Sequence, residues 1–251
     1  MARICGTLCS DDLGSDGDYD DSAYYEAHLT ELLGAEIDSV FSSQDVVGVF
    51  GNQRRAFTQP ASGIDGDDLC ARLFHDRDHD VYYLVNRPTK TFDDQINNLM
   101  TVIGAGIPDK FQQAAQLIEL VKPEFREKIV LSGFSLGGAL SAYAALQAPW
   151  QVRTIVFDPL GLNRNMMGKR GLGVLGQSEV LSDRFPSMNE CIDWYYIANS
   201  WVAKLNVDRH LSSVGRVTAL PQDTVRGTNN PDTHDFRHVR FGLHQLWDDK
   251  A

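Results

Sequence analysis

The chain is poor in cysteine, poor in positive charge and free of long apolar runs. Its 251 residues hold four cysteines, Cys5, Cys9, Cys70 and Cys191. Their spacing builds no paired Cys-x-x-Cys frame, which excludes a structural zinc site of that type. Cys5 and Cys9 are compatible with a bridge and equally with reduced thiols. Lys and Arg number 23 against 34 Asp and Glu, a net charge of −11. Phosphate contacts need Lys and Arg, so this balance argues against a nucleic-acid partner. The uncharged stretch 129–152 is broken by serines, glycines, glutamines and a proline, and no membrane span is expected. Transient contact with a membrane surface stays open. The first residues, Met-Ala-Arg-Ile-Cys-Gly-Thr-Leu-Cys-Ser, form no apolar core of a secretory signal. The expectation is a cytoplasmic protein or one exported by a signal-independent route. Internal repeats and long linkers are missing too, so residues 1–251 are expected to form a single domain.

What is there alternates. Residues 10–21 are an acidic segment. An EF-hand frame begun at Asp12 puts Ala23 where the bidentate Glu is needed, which favours a solvated acidic loop over a calcium site without closing the question. Ala23 to Leu33 reads as a helix ended by Gly34, so 1–35 is an acidic loop and helix. Residues 36–60 hold one or two strands, and Asp67 to Phe74 reads as a short helix. Val81 to Val85 is a buried strand. Pro108 opens a helix whose Phe111, Ala114, Ala115, Ile118 and Val121 form one apolar stripe, and Pro123 stops it. Arg153 to Phe157, Trp194 to Ala198 and Arg216 to Leu220 read as strands, and Phe236 to Trp247 as a closing helix. The glycine-rich stretch 161–190 reads equally as a flap over a site or as a surface excursion. Strands alternating with helices imply an α/β fold, a mostly parallel central sheet with helices on both faces.

The chemistry concentrates in Val130-Leu131-Ser132-Gly133-Phe134-Ser135-Leu136-Gly137-Gly138. An apolar strand runs into Gly-x-Ser-x-Gly and then into a helix of small residues. That is the layout of a nucleophile elbow, in which a tight turn displays the serine at the strand end. Gly133 and Gly137 remove side chains that would crowd the turn. The helix N-terminus aims backbone N–H groups at a developing oxyanion. Ser135 is therefore the expected nucleophile.

Over roughly residues 80–245 the motifs resemble the class three lipase group of the α/β-hydrolase superfamily. That family has an Arg-Gly-(Ser/Thr) turn after a buried strand; here the run is Arg87-Pro88-Thr89, with Asn98 where the family usually has Asp. The resemblance implies that Thr89 donates to the oxyanion, with the Leu136 N–H as the second donor. Phe134 replaces the family's usual His before the nucleophile. The base must follow the acid in the chain, which leaves His210, His234, His238 and His244. His234-Asp235-Phe236 is similar to the family's closing motif and favours His234, with His238 next. The family's acid position falls on Ser200, which cannot serve. Asp158, in an Asp-Pro context similar to that of pancreatic-type lipases and at a strand's carboxyl end, is favoured over Asp208, in the loop after the next strand.

These residues imply acyl transfer from an ester to Ser135 and then to water, with no metal or organic cofactor. The expected partner is an ester or lipid substrate with an apolar acyl chain. The Ser200 departure motivates a second reading, a catalytically weakened hydrolase-like fold that binds a lipid or protein. An acyl-thioester hydrolase is a third.

Overall fold

The computed structural model describes residues 37–39, 71–76, 79–86, 107–168, 188–221 and 236–248. Its strands are β1 (Ile37–Ser39), β2 (Ala71–Asp76), β3 (Val81–Asn86), β4 (Ile129–Phe134), β5 (Arg153–Phe157), β6 (Ile192–Ile197) and β7 (Arg216–Leu220). Its helices are α1 (Asp109–Glu119), α2 (Leu136–Gln147), α3 (Arg164–Gly168), α4 (Met188–Cys191), α5 (Trp201–Asp208) and α6 (Phe236–Asp248). The strands form one sheet in the order β1-β2-β3-β4-β5-β6-β7. β1, β2 and β3 pair antiparallel, and β3 to β7 are all parallel. Five parallel strands with helices between them make an α/β-hydrolase-like fold, as the alternation implied.

The parallel strands are buried because helices cover them. The apolar stripe of α1 meets α2, and Phe111, Ala114, Ile118 and Val121 are all in the core. Tyr143 of α2 sets its ring edge-on to Phe111, with centroids 5.5 Å apart. α2 is buried at every position from Leu136 to Gln147. Such a helix needs small residues to lie close to a sheet, and Gly137, Gly138, Ala139, Ser141, Ala142, Ala144 and Ala145 supply them. α6 packs on β6 and β7.

Opposite the carboxyl ends of the strands, Asp193 of β6 is buried between two arginines. Arg153, the first residue of β5, and Arg216, the first of β7, both pair with its carboxylate. The Arg216 Nε donates to Oδ1 at 2.7 Å.

Two sequence expectations are corrected. Residues 71–74 belong to a strand, not to a short helix. β2 pairs with β3 along its whole length, Ala71 opposite Asn86 through Asp76 opposite Val81. Cross-strand pairing and inward burial of Leu73 outweigh a weak local helix pattern. Asp208 does not lie in a loop: it is the last residue of α5, and exposed. The elbow strand runs from Ile129 to Phe134. Of the stretch 161–190, Leu162, Met166 and Met167 are buried in the core, and residues 169–187 lie outside the described residues, as does the acidic loop and helix of 1–35.

Candidate active site

β4 ends at Phe134 and α2 begins at Leu136, so a single residue makes the turn. That residue is Ser135, with φ 55° and ψ −124°. Positive φ is costly for a residue with a Cβ, and such strain persists only where neighbours over-determine it. They do here. The Ser135 N–H donates to the Phe157 carbonyl at 3.1 Å, and the Ser135 carbonyl accepts from Ala139 at 3.1 Å and Leu160 at 3.2 Å. A Cβ on Gly133 would fall on the Gly137 carbonyl group and 2.6 Å from the Gly138 nitrogen. Only glycine lets strand and helix close this tightly.

Ala139 is the first residue of α2 to donate back into the turn. The N–H groups of Leu136, Gly137 and Gly138 are thus the first-turn donors of a helix, without a carbonyl four residues back. The Leu136 N–H directly follows the serine.

A second buried network braces the elbow from behind. Ser141 Oγ donates to the Ser132 carbonyl at 2.6 Å and accepts from Asn86 Nδ2 at 2.9 Å. Ser132 Oγ donates to the Ile155 carbonyl at 2.6 Å. These bonds tie the carboxyl end of β3 to α2 and β4. Asn86 Oδ1 is buried and accepts no hydrogen bond among the described residues.

Asp158 stands one residue past the end of β5, as Ser135 does past β4. Their strands are paired Phe134 to Phe157, so the two residues are neighbours at the rim of the sheet. Asp158 also has positive φ, 39°. It is 1% exposed, against 8% for Ser135. Its N–H donates to the Tyr195 carbonyl at 2.6 Å. Its Oδ1 accepts from the Ile197 N–H and from Ser200 Oγ, each at 3.0 Å. The chain then turns under α5. Asn206 Nδ2 donates to the Pro159 carbonyl at 3.1 Å, and Asn206 Oδ1 accepts from the Gly161 N–H at 2.8 Å. Pro159 lies against the elbow helix, its Cβ 2.7 Å from where a Gly138 Cβ would stand.

The structure therefore brings Ser135, Leu136 and Asp158 to one rim of the sheet. Thr89 and His234 lie outside the described residues. His238 is half-buried in α6. His210 is an exposed turn residue with φ 52°. Sequence reasoning missed the partnerships of Ser200 and Asn206. Ser200 carried a local signal, a serine placed to cap a helix; Asn206 carried none, because its partners are 45 and 47 residues away. Among the described residues no three of His, Cys, Asp and Glu stand together as a metal cluster, and no helix is long and apolar enough to cross a membrane.

Comparison with curated proteins gives no match. A family model described as "Phospholipase-like: Tle-like phospholipase domain" matches residues 19–246. That span takes in the elbow, the Asp158 turn, Ser200 and all four late histidines. It covers most of the 251 residues, and the chain belongs to this phospholipase-like family, the Tle-like phospholipase domains.

Proposed function

We propose that this protein is a serine hydrolase that cleaves acyl esters of lipids, phospholipids foremost, through an acyl-serine intermediate. Family membership supports hydrolysis of lipid esters in general. The observation that carries the finer reading is the strained Ser135 elbow, with the buried Asp158 carboxylate on the neighbouring strand end. Strain of this kind clusters at functional sites.

In this reading His234 accepts the Ser135 proton as Oγ bonds to the ester carbonyl carbon. Negative charge passes to the carbonyl oxygen, where the Leu136 N–H and Thr89 hold it, each donor worth about 3 kcal/mol. The oxygen's charge returns, the bond to the alcohol breaks, and His234 gives the alcohol its proton. Water repeats the cycle on the acyl-serine and frees the fatty acid. Asp158 fixes the imidazole tautomer and stabilises its protonated form. The substrate lies in a lipid surface, so contact with that surface is transient and tied to turnover.

A fluorophosphonate probe tests the reading, together with hydrolysis of a short-chain ester and of phospholipid vesicles. Ser135→Ala is expected to lose labelling and about a thousandfold or more in turnover. His234→Ala is expected to match it, and the double variant to be no worse, because the two act as a unit. Asp158→Asn is expected to lose a similar factor and Asp208→Asn little. Near-normal ester turnover by Ser135→Ala would end this assignment.

A further inference from the structure

We infer that Ser200 is a positioning residue for the proposed triad acid, acting through a hydrogen bond to the Asp158 carboxylate. The inference rests on the reading of Asp158 above. The direction of each bond at Ser200 follows from its partners. The Ala203 N–H can only donate, so Ser200 Oγ accepts there, at 3.0 Å. The carboxylate accepts, so the single hydroxyl proton goes to Asp158 Oδ1. A helix cap uses only the acceptor half of a serine. Here the donor half is used as well, on a buried acid 42 residues earlier in the chain.

Two features raise this bond above ordinary packing. Ser200 is 0% exposed, so water does not compete for either partner, and bonds to an ionised acceptor are the strong ones. The Ile197 N–H donates to the same oxygen at 3.0 Å. Two donors on Oδ1, with the backbone clamped by Tyr195 and Asn206, leave the carboxylate plane no freedom to rotate. Oδ2 is thereby aimed in one direction. An acid that orients an imidazole needs this, since a wandering carboxylate holds neither tautomer nor ring.

The test uses the full chain with Ser200→Ala, Ser200→Gly and Ser200→Thr. Each is measured for kcat and KM on a short-chain p-nitrophenyl ester and for the rate of fluorophosphonate labelling. Glycine caps a helix almost as well as serine, and alanine does not. If Ser200 positions the acid, Ala and Gly lose the same factor in kcat, about 10- to 100-fold, as for a hydrogen bond to a charged group. KM stays within about threefold and the labelling rate falls in parallel, while threonine, which keeps the hydroxyl, recovers most of the rate. A cap alone would give a lower melting temperature for Ala, little change for Gly, and native kcat in both, and that result overturns the inference. Should Ala not fold, Gly decides. If Asp158→Asn is inactive while the Ser200 variants turn over normally, this inference fails and the triad reading stands. If Asp158→Asn is fully active, or the wild type takes no label, the triad reading itself has failed.

Discussion

Ser135 holds a backbone conformation that its own side chain disfavours. φ 55° with ψ −124° is a region that glycine enters freely. Strain of this sort costs on the order of 1–3 kcal/mol, and the flexibility of glycine in the unfolded chain returns part of it, roughly 0.5–1 kcal/mol. Ser135→Gly is therefore expected to be dead and yet more stable, by about 1 kcal/mol. For a chain of this size that is roughly 2–4 °C in melting temperature. Thermal melts of wild type, Ser135→Ala and Ser135→Gly check it; a glycine variant that melts below the alanine variant contradicts the strain argument. The turn at Ser135 was legible from the sequence because the residues that shape it, two glycines and a serine within five residues, are local. The environment of Asp158 was not, because its donors come from the end of β6 and the start of α5.

At the scale of elements, the site depends on how closely α2 lies on β4 and on the turn after β5. Gly133 makes that closeness possible, since a methyl there meets backbone and not the end of a flexible side chain. Gly133→Ala is expected to lose about 1–3 kcal/mol of stability, the usual cost of overpacking, and with it the placement of the Leu136 N–H that the proposed mechanism uses. Urea titration and ester turnover of the folded fraction measure the two losses. A variant that keeps both native values would show that the elbow relaxes without cost. The alternation of apolar strands with helices was readable, and β5 and β7 fall where the pattern put them. β2 was misread because eight residues carry too little periodicity to separate a short helix from a hairpin arm. Its identity is set by β3, a partner that the local pattern does not contain. α5 was read as loop because its role is to reach back to the Asp158 turn through Ser200 and Asn206.

For the whole molecule, the sheet has an end that carries the candidate site and an end that fastens the strands. The strands' carboxyl ends carry Ser135 and Asp158. Their amino ends carry Asp193 between Arg153 and Arg216, joining β5, β6 and β7. Between them lies a core that includes Tyr143, whose hydroxyl is pushed above the ordinary value of 10.0 by burial. Tyr195, stacked on Phe157 with centroids 5.8 Å apart, is raised too, by burial and then by the charge of Asp193. A raised acid binds its proton more tightly folded than unfolded. Its contribution is complete below the unfolded value and is lost as pH rises through the folded one. Stability is expected to fall with pH above about 10. Tyr143→Phe is expected to fall less steeply, as read from urea midpoints between about pH 8 and 11. Identical slopes for the two proteins would remove Tyr143 from the account.

The elbow also acts as a filter on what chemistry this scaffold can evolve. Its turn presents one side chain at a position fixed by the backbone of Phe157, Ala139 and Leu160, so the display does not depend on which side chain is displayed. Positive φ admits an unbranched Cβ far more readily than a branched one. Cysteine or aspartate can thus inherit the perch from serine in a single exchange, whereas threonine, the nearest chemical relative of serine, is shut out by geometry. On the proposed reading of Ser135 as nucleophile, exchanges that keep a nucleophile at the elbow are confined to thiols and carboxylates, and the alcohol has no isostere to drift into.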